Sequence, residues 1–273
     1  MKRLKIGIVG CGAIGSSLAE AILREFSRQA KLCALYDIDP EKSFKLSRRF
    51  SPARLIAVKK LSELISRSEL VIESASAAAS WEVARKSLLA GRQVMVMSVG
   101  GIAAKIKELA SLAAKHGSAL YIPSGAVCGI DGLKAAGIKK IKSVVLTTYK
   151  HPRSFKGVGY IREKGINLEG INRDRVVFDG RAKDAVKFFP QNINVAGLLS
   201  IAGIGVERTR VRIIASPAAT RNIHEVVIES EAARLVTRTE NLLHPDNPKT
   251  SYLAVLSAVA TLKRIIDPVK IGT

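Results

Sequence analysis

Acidic residues are scarce in this 273-residue chain: 23 Asp and Glu stand against 44 Lys and Arg, a formal charge of +21. Aromatic residues are scarce too, at 5%, with a single tryptophan. The two shortages bear on the same question. A basic surface suits a polyanion, but a groove for single-stranded nucleic acid also needs aromatic platforms on which bases stack. No helix-turn-helix or zinc-finger pattern accompanies the charge. We therefore expect no specific nucleic-acid partner, and read the excess as a field that steers anionic small molecules. It is densest from Lys134 to Gly165, where Lys139, Lys140, Lys142, Lys150, Arg153, Lys156, Arg162 and Lys164 are opposed by Glu163 alone.

Cysteine is equally sparse. Cys11, Cys33 and Cys128 sit in apolar or glycine-rich settings without metal-ligand spacing, so we expect no metal centre and reduced thiols in a reducing compartment. No apolar run reaches the roughly 18 residues that a membrane span needs; the longest, Val195 to Val206, is diluted by glycine and serine. The apolar run behind Lys2, Arg3 and Lys5 is too short for a signal peptide. The expectation is a cytoplasmic protein without a membrane partner. At 47% hydrophobic residues, the chain can pack a core, and its length suits two modest domains.

Glycine, by contrast, is placed with purpose. The run Ile6-Gly7-Ile8-Val9 breaks into Gly10-Cys11-Gly12-Ala13-Ile14-Gly15, and a second apolar run ends in Asp37. Gly10 permits a tight turn out of a strand, Gly12 lets the backbone approach a pyrophosphate, and Gly15 lets the following helix pack closely on the sheet. The helix read from the periodicity of Ser16–Leu23 would point its positive end at the phosphates, with Ala13 and Ile14 of the glycine turn as further cofactor contacts. A carboxylate at Asp37 can accept hydrogen bonds from ribose hydroxyls and repels a 2′-phosphate. NAD is thus the expected cofactor, with NADP second: Lys42, Arg48 and Arg49 follow and could turn toward a phosphate, or simply form a solvated helix face. The bare glycine pattern is expected by accident about 0.1 times in such a chain; its strand before, helix behind and carboxylate at the right distance are what give it meaning.

The rest of the N-terminal half alternates strand-like runs (Leu32–Asp37, Leu55–Val58, Leu70–Glu73, Gln93–Met97, Ala119–Ile122) with helix-like stretches (Trp81–Ala90, Ala103–His116), the pattern of a doubly wound parallel sheet. This predicts a Rossmann dinucleotide-binding domain over residues 1–122. Small residues after two strands, Glu73-Ser74-Ala75-Ser76 and Met97-Ser98-Val99-Gly100, leave room for a nicotinamide ribose and equally suit ordinary turns; Ser98 is the candidate contact. From residue 123 the pattern becomes strand-rich, with runs near Ser143–Tyr149, Val176–Phe178, Arg208–Ile214, Glu225–Ile228 and Arg234–Thr237. Helical stretches fall at Ala182–Phe189, ended by Pro190, and at Val195–Ile201. We expect an α+β domain on a mixed sheet over 123–245, serving substrate binding and dimerisation. The chain from about 246 to 273, mostly the helical stretch Tyr252–Ile266, would return to the first domain.

Several motifs together resemble the L-aspartate dehydrogenase family over essentially the whole chain: the glycine fingerprint, Met97-Ser98-Val99-Gly100, Ser124-Gly125-Ala126 with Gly129-Ile130-Asp131, Phe189-Pro190-Gln191-Asn192-Ile193-Asn194-Val195-Ala196, Asn222-Ile223-His224, and Asn247-Pro248-Lys249-Thr250-Ser251. The resemblance implies an NAD- or NADP-dependent oxidation of L-aspartate to iminoaspartate, which hydrolyses to oxaloacetate and ammonia and can feed NAD biosynthesis. It also implies His224 as the catalytic residue, and Ala126 and Asn194 as contacts near the reacting end of the cofactor. Cys128 departs from the pattern, where glycine is expected.

The chemistry of His224 is compatible with that role. Hydride loss from an amino-bearing carbon needs a neutral amine, and hydration of the imine needs a water deprotonated, so a base titrating near neutrality serves both steps. Strand alternation puts His224 on one face with Val226 and Ile228, turned inward; by itself that also describes a structural core histidine. His116, His151 and His244 read as structural or surface residues. A dicarboxylate needs cationic partners, because two buried carboxylates cannot be left unpaired. Arg208, Arg210 and Arg212 alternate as one charged strand face, while Lys249 and Thr250, with Asn194, are the candidate substrate contacts; a surface role for Lys249 is equally open. Two rival readings stand beside this one. In a semialdehyde dehydrogenase Cys128 would be the nucleophile, although its apolar setting offers no thiolate stabilisation. The other rival is a noncatalytic NAD-sensing protein.

Overall fold

The computed structural model describes residues 2–50, 56–189, 193–245 and 247–272. The chain forms two compact units, Met1–Pro123 with Val255–Ile271, and Ser124–Ala254 with Gly272–Thr273.

In the first unit, strands β1 (Leu4–Val9), β2 (Ala30–Tyr36), β3 (Leu70–Glu73), β4 (Gln93–Val96) and β5 (Leu120–Tyr121) form a parallel sheet in the order β2-β1-β3-β4-β5. Helices α1 (Ala13–Arg24), α2 (Pro40–Phe50), α3 (Leu61–Arg67), α4 (Ala77–Leu89) and α5 (Ile106–Lys115) connect them. The strands are buried on both faces, as parallel strands between helix layers must be. Alternation sends Ile6, Ile8, Leu70, Ile72 and Met95 into one core, with Leu18 and Ile22 of α1. Val9, Val71, Val94 and Val96 enter the other, with Leu64, Val83 and Leu109. Ala258 and Leu262 of the last helix complete the first core, the fully buried leucine contributing about 2 kcal/mol. Strand order reverses at β1, where the chain leaves toward β2 and returns on the other side to β3; ligands of such sheets sit beyond the carboxyl ends of the strands at this reversal.

One expected strand shrinks to a single contact. Instead of a strand over Leu55–Val58, Ala57 forms an isolated parallel bridge with Leu35, flanked by hydrogen bonds of 2.9 Å from Leu35 to Ile56 and from Val58 to Leu35. Lys59 and Lys60 then turn directly into α3, which leaves no length for a ladder; Leu55 itself lies outside the described residues.

In the second unit, β6 (Ile141–Lys150), β7 (Arg175–Arg181), β8 (Arg210–Ala215), β9 (Asn222–Ser230) and β10 (Arg234–Asn241) form a sheet in the order β10-β9-β6-β8-β7. It is mixed: β6 and β8 run parallel, the other neighbours antiparallel. One face is buried. Val144, Leu146, Thr148 and Lys150 of β6, Val211 and Ile213 of β8, and His224, Val226 and Ile228 of β9 all point inward. Helices α6 (Ile130–Ala136), α7 (Gly159–Glu163), α8 (Ala182–Phe188) and α9 (Ile193–Ala202) accompany the sheet; Gly203, just past α9, lies against Leu133 of α6 and Val144 of β6. The expected helix stop at Pro190 lies outside the described residues.

The stretch Asn247–Ser251 is a strand. It pairs as β12 (Asn247–Ser251) with β11 (Leu243–His244) in an antiparallel hairpin. Ser251 Oγ is tied to Asn241 Oδ1 at 2.6 Å. This short hairpin therefore packs with the second unit, and α10 (Tyr252–Ile266) joins the first from Val255 onward, nine residues later than the expected boundary near 246. Among the described residues no helix is long and apolar enough to cross a membrane.

Candidate functional site

The glycine turn of the first unit divides its work as its chemistry requires. Gly10 has φ +92°, and a Cβ there would meet the backbone of Ser74 and Ala75 at 2.6 Å, so only glycine turns the chain here. At Gly15 a Cβ would lie 2.0 Å from the Gly10 carbonyl oxygen, which fixes how closely α1 approaches the turn. Gly12 is different: its φ of −76° is ordinary and a Cβ there meets nothing within 4 Å. The open space lies over the start of α1, whose first turn includes Ala13, Ile14 and Gly15, has no acidic residue and takes no side-chain cap from Gly12. Uncapped amides and free space at a helix start fit a phosphate group.

Asp37 follows β2 and braces the same turn. Its Oδ2 accepts the Cys11 N–H at 2.7 Å and its Oδ1 the Asp39 N–H at 3.0 Å. Each oxygen retains a second lone pair for a ribose hydroxyl. The Cys11 thiol beside it is pushed up to about 12 by burial and, secondarily, by the Asp37 charge, and is inert. The downstream arginines are occupied elsewhere: Arg48 stacks on Phe44 and Arg49 on Phe50.

Glu73 organises the carboxyl ends of β3 and β4 and was not singled out from the sequence. It is completely buried. Its Oε1 accepts the N–H groups of Ala75 and Ser76 and the Ser98 hydroxyl, and its Oε2 the Ser98 N–H, over 2.8–3.2 Å. Burial raises the Glu73 carboxyl above its usual range, against these opposing hydrogen bonds. The structure thus turns the Ser98 hydroxyl to Glu73. Ser74 Oγ donates to the Gly10 carbonyl at 2.9 Å, joining this brace to the glycine turn.

In the second unit the inward face of the sheet changes from apolar to polar at one end. His224 is 6% exposed, opposite Thr148 in the β6–β9 register, and its Nδ1 lies 3.0 Å from Thr148 Oγ1. Burial and then the charge of Lys150 push its pKa down to about 4. This is well below the near-neutral value the chemistry suggested, and the reason is physical: an imidazolium here would lose its hydration beside another cation. Lys150, two residues beyond Thr148 on the same face, is 8% exposed, and burial lowers its ammonium to about 8.

Asn241 ties three of the motifs together. It is buried; its Nδ2 donates to the carbonyls of Ala126 at 3.1 Å and Asn222 at 3.3 Å, and its Oδ1 accepts from Ser251. Thr250 sits in β12 half-buried, and the Lys249 side chain lies outside the described residues. Asn194 is exposed in the first turn of α9. Cys128 is exposed, with Sγ 3.3 Å from Thr239 Oγ1, a hydroxyl neighbour rather than a base. A cavity of about 780 Å³ in this unit is lined by His151, Arg153, Lys156 and Arg162 among others, and by none of the expected site residues.

A doubly wound sheet with this glycine turn and carboxylate, followed by a mixed-sheet domain, defines a two-domain, nicotinamide-dinucleotide-dependent oxidoreductase. The L-aspartate dehydrogenase of Methanosarcina mazei is 49% identical over 272 residues, covering 99% of this chain and all of that protein. The chain belongs to the L-aspartate dehydrogenase family. Residues 131–265 match the C-terminal domain of aspartate dehydrogenase, and residues 10–123 the NAD-binding domain of homoserine dehydrogenase. The crystal structure of Thermotoga maritima aspartate dehydrogenase covers 99% of this chain and 100% of its own, at 26% identity and a TM-score of 0.75. A homoserine dehydrogenase from Thiobacillus denitrificans shares the fold at 14% identity, with a TM-score of 0.62 over 97% of this chain and 74% of its own. Family membership sets aside the semialdehyde dehydrogenase and the noncatalytic sensor.

Proposed function

We propose that this chain catalyses the reversible, NAD-dependent oxidation of L-aspartate to iminoaspartate, released as oxaloacetate and ammonia, with His224 as general acid and base. The observation that carries the residue assignment is a buried, neutral imidazole on the inward sheet face, held at Nδ1 by Thr148. With Nδ1–H donated to the Thr148 hydroxyl, Nε2 keeps its lone pair. A nicotinamide dinucleotide held at the glycine turn would supply the acceptor for the hydride of the α-carbon. His224 takes a proton from the water that adds to the iminium carbon and gives it to the nitrogen that leaves as ammonia; the hydroxyl proton of the carbinolamine passes to solvent as the carbonyl forms, so no net proton stays on the protein.

Gly10, Gly12, Ala13, Ile14 and Gly15 are assigned to the pyrophosphate and Asp37 to the adenosine ribose, which favours NAD over NADP. Ala126 and Asn194 are assigned to the nicotinamide end, with Ser98 contributing through the loop that Glu73 holds. Lys249 and Thr250, in the strand anchored by Ser251, together with Asn194 are the substrate-facing candidates. Release of iminoaspartate before hydrolysis would supply NAD biosynthesis.

We place the enzyme in the cytoplasm, where Cys11, Cys33 and Cys128, all free thiols, stay reduced. We assign it a homodimeric state, supported by the edge strand β10 and its half-exposed Val236; sedimentation at micromolar concentration tests this, a monomer contradicting it.

Reduction of NAD by L-aspartate, followed at the reduced nicotinamide band, tests the activity. His224→Ala should lower kcat by roughly 10²–10⁴-fold while leaving the Kd for NAD within twofold. Undiminished turnover in that variant would remove His224 from the mechanism.

A further inference from the structure

The second unit buries a lysine that the reaction steps above do not use. Lys150 ends β6 at 8% exposure, and no carboxylate among the described residues pairs with it. Charged side chains almost never sit so deep unless they are paired, and an unpaired buried ammonium is costly enough that it needs a reason. Its position supplies one. Thr148 and Lys150 are successive inward residues of one strand, Thr148 holds His224 Nδ1, and the Lys150 charge is felt at the imidazole. The inward face thus ends in a hydroxyl, an imidazole and a cation without a counter-ion, which is a site built for an anion that carries a group to be deprotonated.

We infer that Lys150 is a substrate-binding residue, whose ammonium holds a carboxylate of the dicarboxylate substrate beside His224. The inference rests on the aspartate reading for the substrate's identity, but not for the anion site itself. The sequence offered Lys150 only as one of many basic residues. Its signal was its parity: on the period-two face of Val144 and Leu146, a lysine was not free to be solvated. The cation also discriminates, since an amino acid with one carboxylate forfeits a charge-assisted bond or leaves the ammonium unpaired.

Succinate, a dicarboxylate without an amino group, probes this directly. Its Kd is measured by calorimetry on the NAD-loaded full chain for wild type, Lys150→Met and Lys150→Arg, beside steady-state kinetics with L-aspartate and a melting curve for each. Methionine fills a similar volume without charge, so a cooperative melt certifies the variant. We expect Lys150→Met to weaken succinate and raise the KM for aspartate by roughly 10- to 100-fold, with the Kd for NAD unchanged, and Lys150→Arg to recover part of both. Succinate binding that is absent from wild type, or equal in wild type and Lys150→Met, overturns the inference; so does a fall in kcat with KM and succinate affinity intact, which would make Lys150 a proton carrier. A wild type that binds succinate through Lys150 but does not oxidise aspartate refutes the activity and leaves the anion site standing.

Discussion

A histidine and a lysine buried side by side make the second unit sensitive to pH in two separate windows. His224 falls from an ordinary value of 6.5 to about 4 in the folded chain, so between those values the unfolded chain binds the extra proton and folding is lost as pH drops. The depression corresponds to about 3 kcal/mol at full extent. Denaturant titrations at pH 7 and pH 4.5 should show the loss, and it should vanish in His224→Gln; equal loss in that variant would assign it to other groups. Lys150 falls from 10.5 to about 8, again with more protons on the unfolded chain, so its cost is present below pH 8 and is relieved as pH rises to 10.5. Lys150→Met should accordingly be more stable than wild type at pH 7, by up to about 3 kcal/mol, and the difference should shrink toward pH 10.5. A carboxylate bound at Lys150 would offset its charge, the lesser of the two causes that lower the His224 pKa, and so raise that pKa. Imidazole NMR should therefore find His224 neutral from pH 8 to 5 in the free protein and titrating higher with succinate bound.

At the scale of elements, two glycines of the turn between β1 and α1 are assigned different work, Gly15 to packing and Gly12 to binding. Gly15→Ala sets a Cβ 2.0 Å from a carbonyl oxygen, so the helix must move and stability should fall by about 1–3 kcal/mol. Gly12→Ala meets open space at a φ that alanine tolerates. It should melt like wild type yet bind NAD at least about tenfold more weakly, because the methyl would take the space assigned to the pyrophosphate. Thermal melts and cofactor titrations check both; a weakened melt in Gly12→Ala with normal NAD affinity would reverse the assignment. This turn was legible in the sequence because its constraints are local, set by glycine geometry and the distance to Asp37. The hairpin β11–β12 was hidden by Pro248, which reads as a turn residue, although a short two-stranded edge tolerates a missing donor. Glu73 and Asn241 were hidden for another reason. Each is a polar residue at a strand end with a partner far along the chain, Ser98 for Glu73 and Ala126 for Asn241, and only the folded register brings these together.

The whole molecule consists of two compact units, and its two-domain plan was readable from the shift between alternating and strand-rich patterns. What could not be read was how the +21 charge is spent. Arg210 and Arg212 pair with Asp179 at 2.8 and 2.9 Å on an exposed strand face, where ion pairs count for little, whereas Lys150 is buried. The assignment of cofactor choice to Asp37 predicts that Asp37→Ser shifts preference toward NADP by removing the charge that repels a 2′-phosphate; the ratio of kcat/KM values for the two cofactors measures it, and an unchanged ratio would place selection elsewhere. The central claim, a reductive amination run by His224, is tested most directly by NADH absorbance with oxaloacetate, with and without ammonia, in wild type and His224→Ala. Ammonia-dependent consumption by wild type that collapses in the variant, with NADH affinity retained, is the predicted result. Consumption that ignores ammonia, or that survives the loss of His224, would contradict the account.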